Sequence, residues 1–273
     1  MERTVTRPAA GRAAALAELT RAECAELGPH ALVVWPLGAI EQHGPHLPTG
    51  TDTFHVEWVA QRAVDLVARR LPVVLAPTLC FGSSDHHLPF GGTMSLGTGT
   101  YLRVLLELGG SLAAGGFRRL FLVNGHGGNH ELAQLAARDL ALRHEVYVGA
   151  GSWWEIAAAA LGARAAGEVG EVGEVGAIPG HAGSFETSLV LAMRPELVRE
   201  PPRRAADPER DRERPAGYRA EHHGWWQSMD GFTDLPDRGE ADRGKGYLDA
   251  AAAEVAARLV DFFVATGGRV APA

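Results

Sequence analysis

A chain of 273 residues with a formal charge of −7 offers no general basic face for nucleic acid, while its 46% hydrophobic content is ample for a buried core. At this length it is one large domain or two small ones. No apolar run approaches the roughly 20 residues of a membrane span, and the Arg- and Ala-rich N-terminus lacks the continuous apolar segment and cleavage site of a secretory signal. Cys24 and Cys80 read as free thiols in a reducing compartment. The expectation is a cytoplasmic protein with neither a membrane nor a nucleic-acid partner.

Residues 1–12 are polar and small, and are expected to fray. Residues 13–27 have helical apolar spacing through Leu16, Leu19 and Leu27, although Glu23 falls on the same face. Ala31 to Leu37 is an apolar run that reads as a buried strand. In the sixteen residues from Gly38 to Thr53 the apolar character stops, and Glu41, His43, His46 and Asp52 appear, spaced by Gly and Pro. Pro45 and Pro48 fix their own φ angles and bias their predecessors away from helix, so these side chains are expected on a loop at the C-terminal end of a strand. Open α/β sheets bind ligands at that end. Oxygen and nitrogen donors without sulfur suit Zn, Mn or Fe(II).

Further along, Phe54 to Arg70 predicts a helix, Val73 to Pro77 a short strand, and residues 80–92 an irregular segment containing His86 and His87. Thr100 to Gly115 predicts a helix. Leu120 to Val123 is apolar without alternation, as in a parallel strand covered on both faces. It runs into Asn124-Gly125-His126-Gly127-Gly128-Asn129, a second strand-end loop. A helix over Glu131 to Leu142 and a strand over Glu145 to Gly151, ending at Ser152-Trp153-Trp154-Glu155, complete an alternation that implies βαβ units and a parallel sheet. Residues 164–180 contain a short Gly-Glu-Val repeat and read as a mobile, lid-like insertion. His181 to Ser188 leads into an apolar helix through Met193, and residues 199–217 read as a solvated loop. Gly246 to Ala265 closes the chain as an amphipathic helix with Leu248, Ala252, Val255, Leu259 and Phe262 on one side.

Strand ends of a parallel sheet lie along one edge, so three loops can converge. They bring Glu41, His43 and Asp52; His126, between glycines that admit a close ligand; and His181 with Glu186. Two metals sharing a water lower its pKa and give a nucleophile at neutral pH. Asp52 is the natural bridge if Glu41 and His43 face different metals. Each residue also has a plainer reading. Asp52 fits an N-cap, Glu186 a first-turn carboxylate, His126 a turn histidine, and His181 a structural one. His55, His130, His222 and His223 have no convergent partners, and the pairs Trp153-Trp154 and Trp225-Trp226 read as core or oligomer contacts. No nucleophile elbow, phosphate-cradling loop or dinucleotide fingerprint is present, which leaves a metal-activated water as the strongest enzymatic reading.

The stretch Gly38 to Pro48, then Asp52, then Asn124 to Asn129, then His181-Ala182-Gly183-Ser184-Phe185-Glu186-Thr187-Ser188 resembles the creatininase (creatinine amidohydrolase) family, with a weaker echo in Ala241 to Gly246. The resemblance implies a single domain over residues 1–273 with a three-layer α/β/α fold. It also implies a homo-oligomer, often a hexamer, and a divalent metal pair (Zn, Mn or Fe) at the strand ends. By it, Glu41, Asp52 and His126 hold one metal, and His43 and Asp52 the other. His181 handles protons near the scissile C–N bond, Glu186 lines the same site, and His87 and Trp154 lie on the substrate side. Creatininase proper carries a Glu at the position of Gly128 and a Trp at the position of Ala177. The expected function is metal-dependent hydrolysis of a C–N amide or cyclic amide bond in a small molecule. The alternatives are a cyclic ketone C–C bond, a short peptide, or a non-catalytic ligand-binding relative.

Overall fold

Apolar runs without alternation become the central strands because each is covered on both faces. The strands are β1 (Ala14–Ala15), β2 (Leu32–Leu37), β3 (Val73–Leu75), β4 (Arg119–Asn124) and β5 (Tyr147–Ser152). They form one sheet of order β1-β3-β2-β4-β5, with every pairing parallel. The structure, a computed structural model, describes residues 13–168, 178–203, 222 and 224–271. Its helices are α1 (Arg21–Leu27), α2 (Thr51–Val67), α3 (Thr98–Ala114), α4 (His130–Arg143), α5 (Trp153–Ile156), α6 (Ala158–Glu168), α7 (Ser184–Met193), α8 (Trp225–Ser228) and α9 (Ala241–Ala265).

Successive strand side chains point to opposite faces, and the core divides accordingly. Leu32, Val34, Phe121 and Val123 pack with α2, α7 and α9 and with Trp153 and Leu161 of α5 and α6. Val33, Trp35, Leu37, Leu120 and Leu122 pack on the other side with Tyr101 and Leu105 of α3, Ala133 and Ala136 of α4, and Leu27 at the end of α1. This is the expected three-layer α/β/α arrangement. Several of these side chains are fully buried, each contributing about 1.5–3 kcal/mol relative to exposure.

Two expectations change. Residues 13–27 are not one helix. Ala14 and Ala15 pair with Val74 and Leu75 at the sheet edge, and Leu16–Glu18 is a 3-10 turn. The helix starts only after Thr20, where a capping box forms: Thr20 Oγ1 accepts from the Glu23 amide at 3.3 Å, and the Glu23 carboxylate accepts from the Thr20 amide at 2.7 Å. Glu23 is therefore a cap, which explains a carboxylate on the otherwise apolar face. Residues 164–168 of the expected insertion are helical, forming the end of α6. Residues 169–177 of that segment, residues 1–12 and 204–217, and His223 lie outside the described residues. Among the described residues, no helix is long and apolar enough to cross a membrane.

The closing helix α9 begins at Ala241 and not at Gly246. Its first turns cross α7 so closely that a Cβ on Gly244 would lie inside contact distance of the Ser188 carbonyl, which is backbone and cannot rotate away. Gly244→Ala therefore overpacks this crossing. The expected cost is about 1–3 kcal/mol, read as a lower denaturant midpoint at unchanged m-value; an unchanged midpoint would refute the close approach.

Candidate active site

The register of the sheet decides which loops meet. Leu37 pairs with Asn124, and Asn124 with Ser152, so the loops leaving β2, β4 and β5 start level with one another. Asparagine side chains then tie them together. Asn124 Nδ2 donates to the His126 carbonyl (2.7 Å) and to Ser152 Oγ (2.9 Å), while its Oδ1 accepts from the His126 amide (3.1 Å). Asn129 Nδ2 donates to the Gly38 carbonyl (3.0 Å), and its Oδ1 accepts from the Ser83 amide (2.9 Å). The segment after β3 is thereby drawn against the other two loops.

All four proposed metal ligands, Glu41, His43, Asp52 and His126, meet in this corner, together with His87, His181 and Glu186, and every one of these side chains is buried. Asp52 sits between two histidines: its Oδ1 is 3.3 Å from His43 Nε2 and its Oδ2 is 3.0 Å from His126 Nδ1. Glu41 Oε1 is 3.3 Å from His126 Nδ1, 3.5 Å from His87 Nε2 and 3.7 Å from His181 Nδ1. Glu186 Oε2 is 3.7 Å from His43 Nε2 and accepts the Ala182 amide at 2.5 Å. The plainer reading of Asp52 fails, since the cap of α2 is Gly50 and Asp52 lies inside the first turn with its carboxylate turned into the cluster. Glu186 does lie in the first turn of α7, yet its carboxylate also faces His43.

Hydrogen bonds on the far side of each ring assign its tautomer. His43 Nδ1–H donates to the Glu41 carbonyl (3.1 Å), which leaves Nε2 toward Asp52 and Glu186. His126 Nε2–H donates to the Ser83 carbonyl (3.1 Å), which leaves Nδ1 toward Glu41 and Asp52. His181 Nε2–H donates to the Gln42 carbonyl (3.0 Å), which leaves Nδ1 toward Glu41. The Gln42 amide donates to the Gly231 carbonyl (2.7 Å) and to His87 Nδ1 (2.9 Å), so His87 carries its proton on Nε2. With these rings neutral, three nitrogen lone pairs thus converge on the carboxylate oxygens.

The electrostatics follow. Burial works against charge on His43, but the carboxylates of Asp52, Glu186 and Glu41 outweigh it and push its pKa up to about 10. His126 is also raised, because Glu41 and Asp52 overcome its burial. Burial raises Glu186 to about 8; the Asp52 and Glu41 charges add to this, against the opposing pull of His43. Burial, with the His43 charge, holds His181 well below the usual histidine range. It likewise brings His87 down to about 2.

Residues that sequence reasoning passed over complete the site. Gln42 and Asn129 stood inside the quoted motifs without a role, and Ser83 carries no local signal at all. Trp226 leaves the core-or-oligomer reading: its ring lies 4.6 Å from that of His87, 5.1 Å from His181 and 5.7 Å from His86. Trp154 is placed differently. It packs against the large core cluster, with its ring 5.8 Å from Trp153. His46 braces the loop on α7 through Thr187 Oγ1 (2.9 Å), and burial together with the His43 charge lowers it to about 4. His55 packs edge-on against Trp153 (6.3 Å), and His130 bonds Ser152 Oγ (2.8 Å).

A divalent cation fits this donor set. Glu41 Oε2, His43 Nε2 and Asp52 Oδ2 are buried with no hydrogen-bond partner, a costly arrangement unless a cation fills it. Groups of these residues hold ligand atoms within 4.8 Å of one another, among them Glu41, His43 and Asp52, and also His43, His181 and Glu186.

The profile described as creatininase, creatinine amidohydrolase, matches residues 17–259. A mycofactocin precursor peptide peptidase of Mycobacterium ulcerans is 36% identical over 171 residues, covering 61% of this chain and 60% of that protein. A creatinine amidohydrolase of Pseudomonas putida is 32% identical over 182 residues, covering 61% and 66%. The matches therefore span under two thirds of these curated relatives. A solved structure titled "Creatininase Mn" superposes with a TM-score of 0.72 at 25% identity, covering 92% of this chain and 99% of that one. With this fold, these three loops and a family match over most of its length, the chain belongs to the creatininase family.

Proposed function

We propose that this chain is a metal-dependent hydrolase of an amide-type C–N bond. The observation that carries the reading is the set of buried, unpartnered donor atoms on Glu41, His43 and Asp52. Glu41, Asp52 and His126 would hold one divalent ion; His43, Asp52 and Glu186 would hold the other, with Asp52 bridging. Bound there, such ions supply a water acidified to a nucleophile at neutral pH, and Zn, Mn and Fe all suit the oxygen and nitrogen donors.

The chain's own groups do the rest. His181 is held neutral, with its Nε2–H tied to the Gln42 carbonyl, so its Nδ1 lone pair faces the cluster. It accepts a proton there and passes it to the leaving nitrogen, which would otherwise depart as an unstable anion. His87, protonated on Nε2, offers a donor to a substrate carbonyl. Trp154 remains a candidate for the substrate side by resemblance, and Trp226 joins it on its ring contacts. The oligomer, and a hexamer in particular, likewise rests on family resemblance, as does a cytoplasmic location on cysteine usage.

A peptide amide is a second reading. The loop bearing His86 and His87 exposes Phe81, Leu88 and Met94, and Trp225 beside Trp226 is exposed as well, an apolar surround suited to a substrate larger than creatinine. The higher identity to the Mycobacterium ulcerans peptidase agrees with this.

Elemental analysis is the first test. Asp52→Ala should lose more metal per subunit than His43→Ala, because Asp52 alone faces both positions; full occupancy in Asp52→Ala refutes the paired centre. Metal uptake should also expel protons. His43 and Glu186, at about 10 and about 8, are protonated in the metal-free protein at pH 7 and must lose those protons to bind. Affinity should therefore rise with pH, and calorimetry in buffers of different ionisation enthalpy should show net proton release; a buffer-independent heat counts against it.

Activity is the last test here. With no carboxylate at residue 128, creatinine should turn over well below the roughly 1–1000 per second of ordinary enzymes, and a bulkier cyclic or peptide amide should be preferred. On the true substrate His181→Ala should lower kcat by about 10²–10⁴-fold at unchanged metal content. Ordinary creatinine turnover, or full activity in His181→Ala, would overturn these assignments.

A further inference from the structure

The cluster has one more nitrogen donor, and neither the motifs nor the family resemblance assigns it. His86 lies on the 3-10 turn Asp85–Phe90, half-buried beside the buried His87. Its ring stands parallel to that of His126, at 5.9 Å between centroids and 3° between planes. Ligand atoms of His86, Glu41 and His126 all lie within 4.8 Å of one another. Gly128 is the reason the ring can sit there. A Cβ at residue 128 would lie 3.2 Å from His86 Cε1, about 2.5 Å from His126 Nε2, and inside contact distance of the Ser83 carbonyl. Any side chain at 128 would therefore break the Ser83–His126 hydrogen bond that turns His126 Nδ1 inward, and would press on the His86 ring. The missing side chain and the histidine belong to one arrangement.

We propose that His86 would be a further ligand for the ion that Glu41 and His126 would hold, reaching it from the half-buried turn Asp85–Phe90. The inference rests on the proposed metal centre and extends it. A separate third ion is disfavoured by charge: Glu41, Asp52 and Glu186 supply three negative charges at most, which two divalent ions already exceed. Adding His86 to the donors of one of the two ions satisfies both the 4.8 Å grouping and the charge. His86 is half-buried while the rest of the cluster is closed, so it is also the donor an incoming ion meets first.

The test uses the full-length protein, stripped of metal and titrated with Zn(II) against a competing chelator, and with Co(II) followed by its visible absorption. His86→Ala removes the ring; His86→Phe keeps an aromatic ring to pack on His126 but removes the donor. Both variants should bind one of the two ions about tenfold or more weakly, lose it faster to chelator, and show an altered Co(II) spectrum, while the second ion keeps its affinity. Wild-type affinity and spectrum in His86→Phe, with or without a defect in His86→Ala, would mean the ring only packs, and would overturn the ligand alone. A wild-type protein that takes up no Zn(II) or Co(II) would overturn the proposed metal centre, and the His86 ligand with it.

Discussion

Three carboxylates, Glu41, Asp52 and Glu186, are buried within a few ångströms of one another at the C-terminal edge of the sheet. Such a group repels itself and has lost its water. Four buried histidines, His43, His87, His126 and His181, surround it, and in the metal-free protein protons on His43 and His126 offset much of the repulsion. The fold around the cluster serves to hold this arrangement. Helix α9 packs on α7, α7 carries Glu186, Asn129 ties the loops after β2 and β3 to the loop after β4, and Asn124 ties that loop to β5.

The histidines are not equivalent, although all are buried among the same charges. Each is fixed by what its outer nitrogen touches: a backbone carbonyl for His43, His126 and His181, and the Gln42 amide for His87. Backbone carbonyls accept only, so once these rings are neutral the inner nitrogens of the first three are lone pairs. The Gln42 amide donates, so the inner nitrogen of His87 bears hydrogen. That difference divides ring nitrogens suited to bind a cation or accept a proton from one suited to bind a substrate oxygen.

Residues 224–235 extend the same logic from outside the motifs. Gly231 accepts from Gln42, and Thr233 Oγ1 accepts from the His181 amide at 2.8 Å. Asp234 accepts from the Ser184 amide at 2.7 Å and so caps the start of α7. Trp226 lies over the histidines from this strap. A segment with no chemical signature of its own thus orients His181 and the helix that bears Glu186.

Much of this was legible in the chain itself. Unbroken apolar runs determined β2 and β4 and hence a parallel sheet, because only doubly covered strands tolerate them. The Gly- and Pro-spaced Glu41, His43 and Asp52, and His126 among glycines, pointed to a polar cluster at the strand ends, and there these side chains meet, buried together. What only the tertiary structure decided was which donors meet. Whether Asp52 capped a helix or faced a cluster depended on where α2 began, and the β3 pairing of Ala14 and Ala15 overrode their helical spacing. Trp226 was placed beside the histidines, and Trp154 against Trp153 and the core, by packing that no local pattern encodes. His86 came to lie on His126 because a distant loop was tied down by Asn129 and residue 128 left it room. Periodicity reports which face a residue shares with its near neighbours; contacts between residues 40 to 190 positions apart are fixed only when the sheet register and the packed layers bring their loops together.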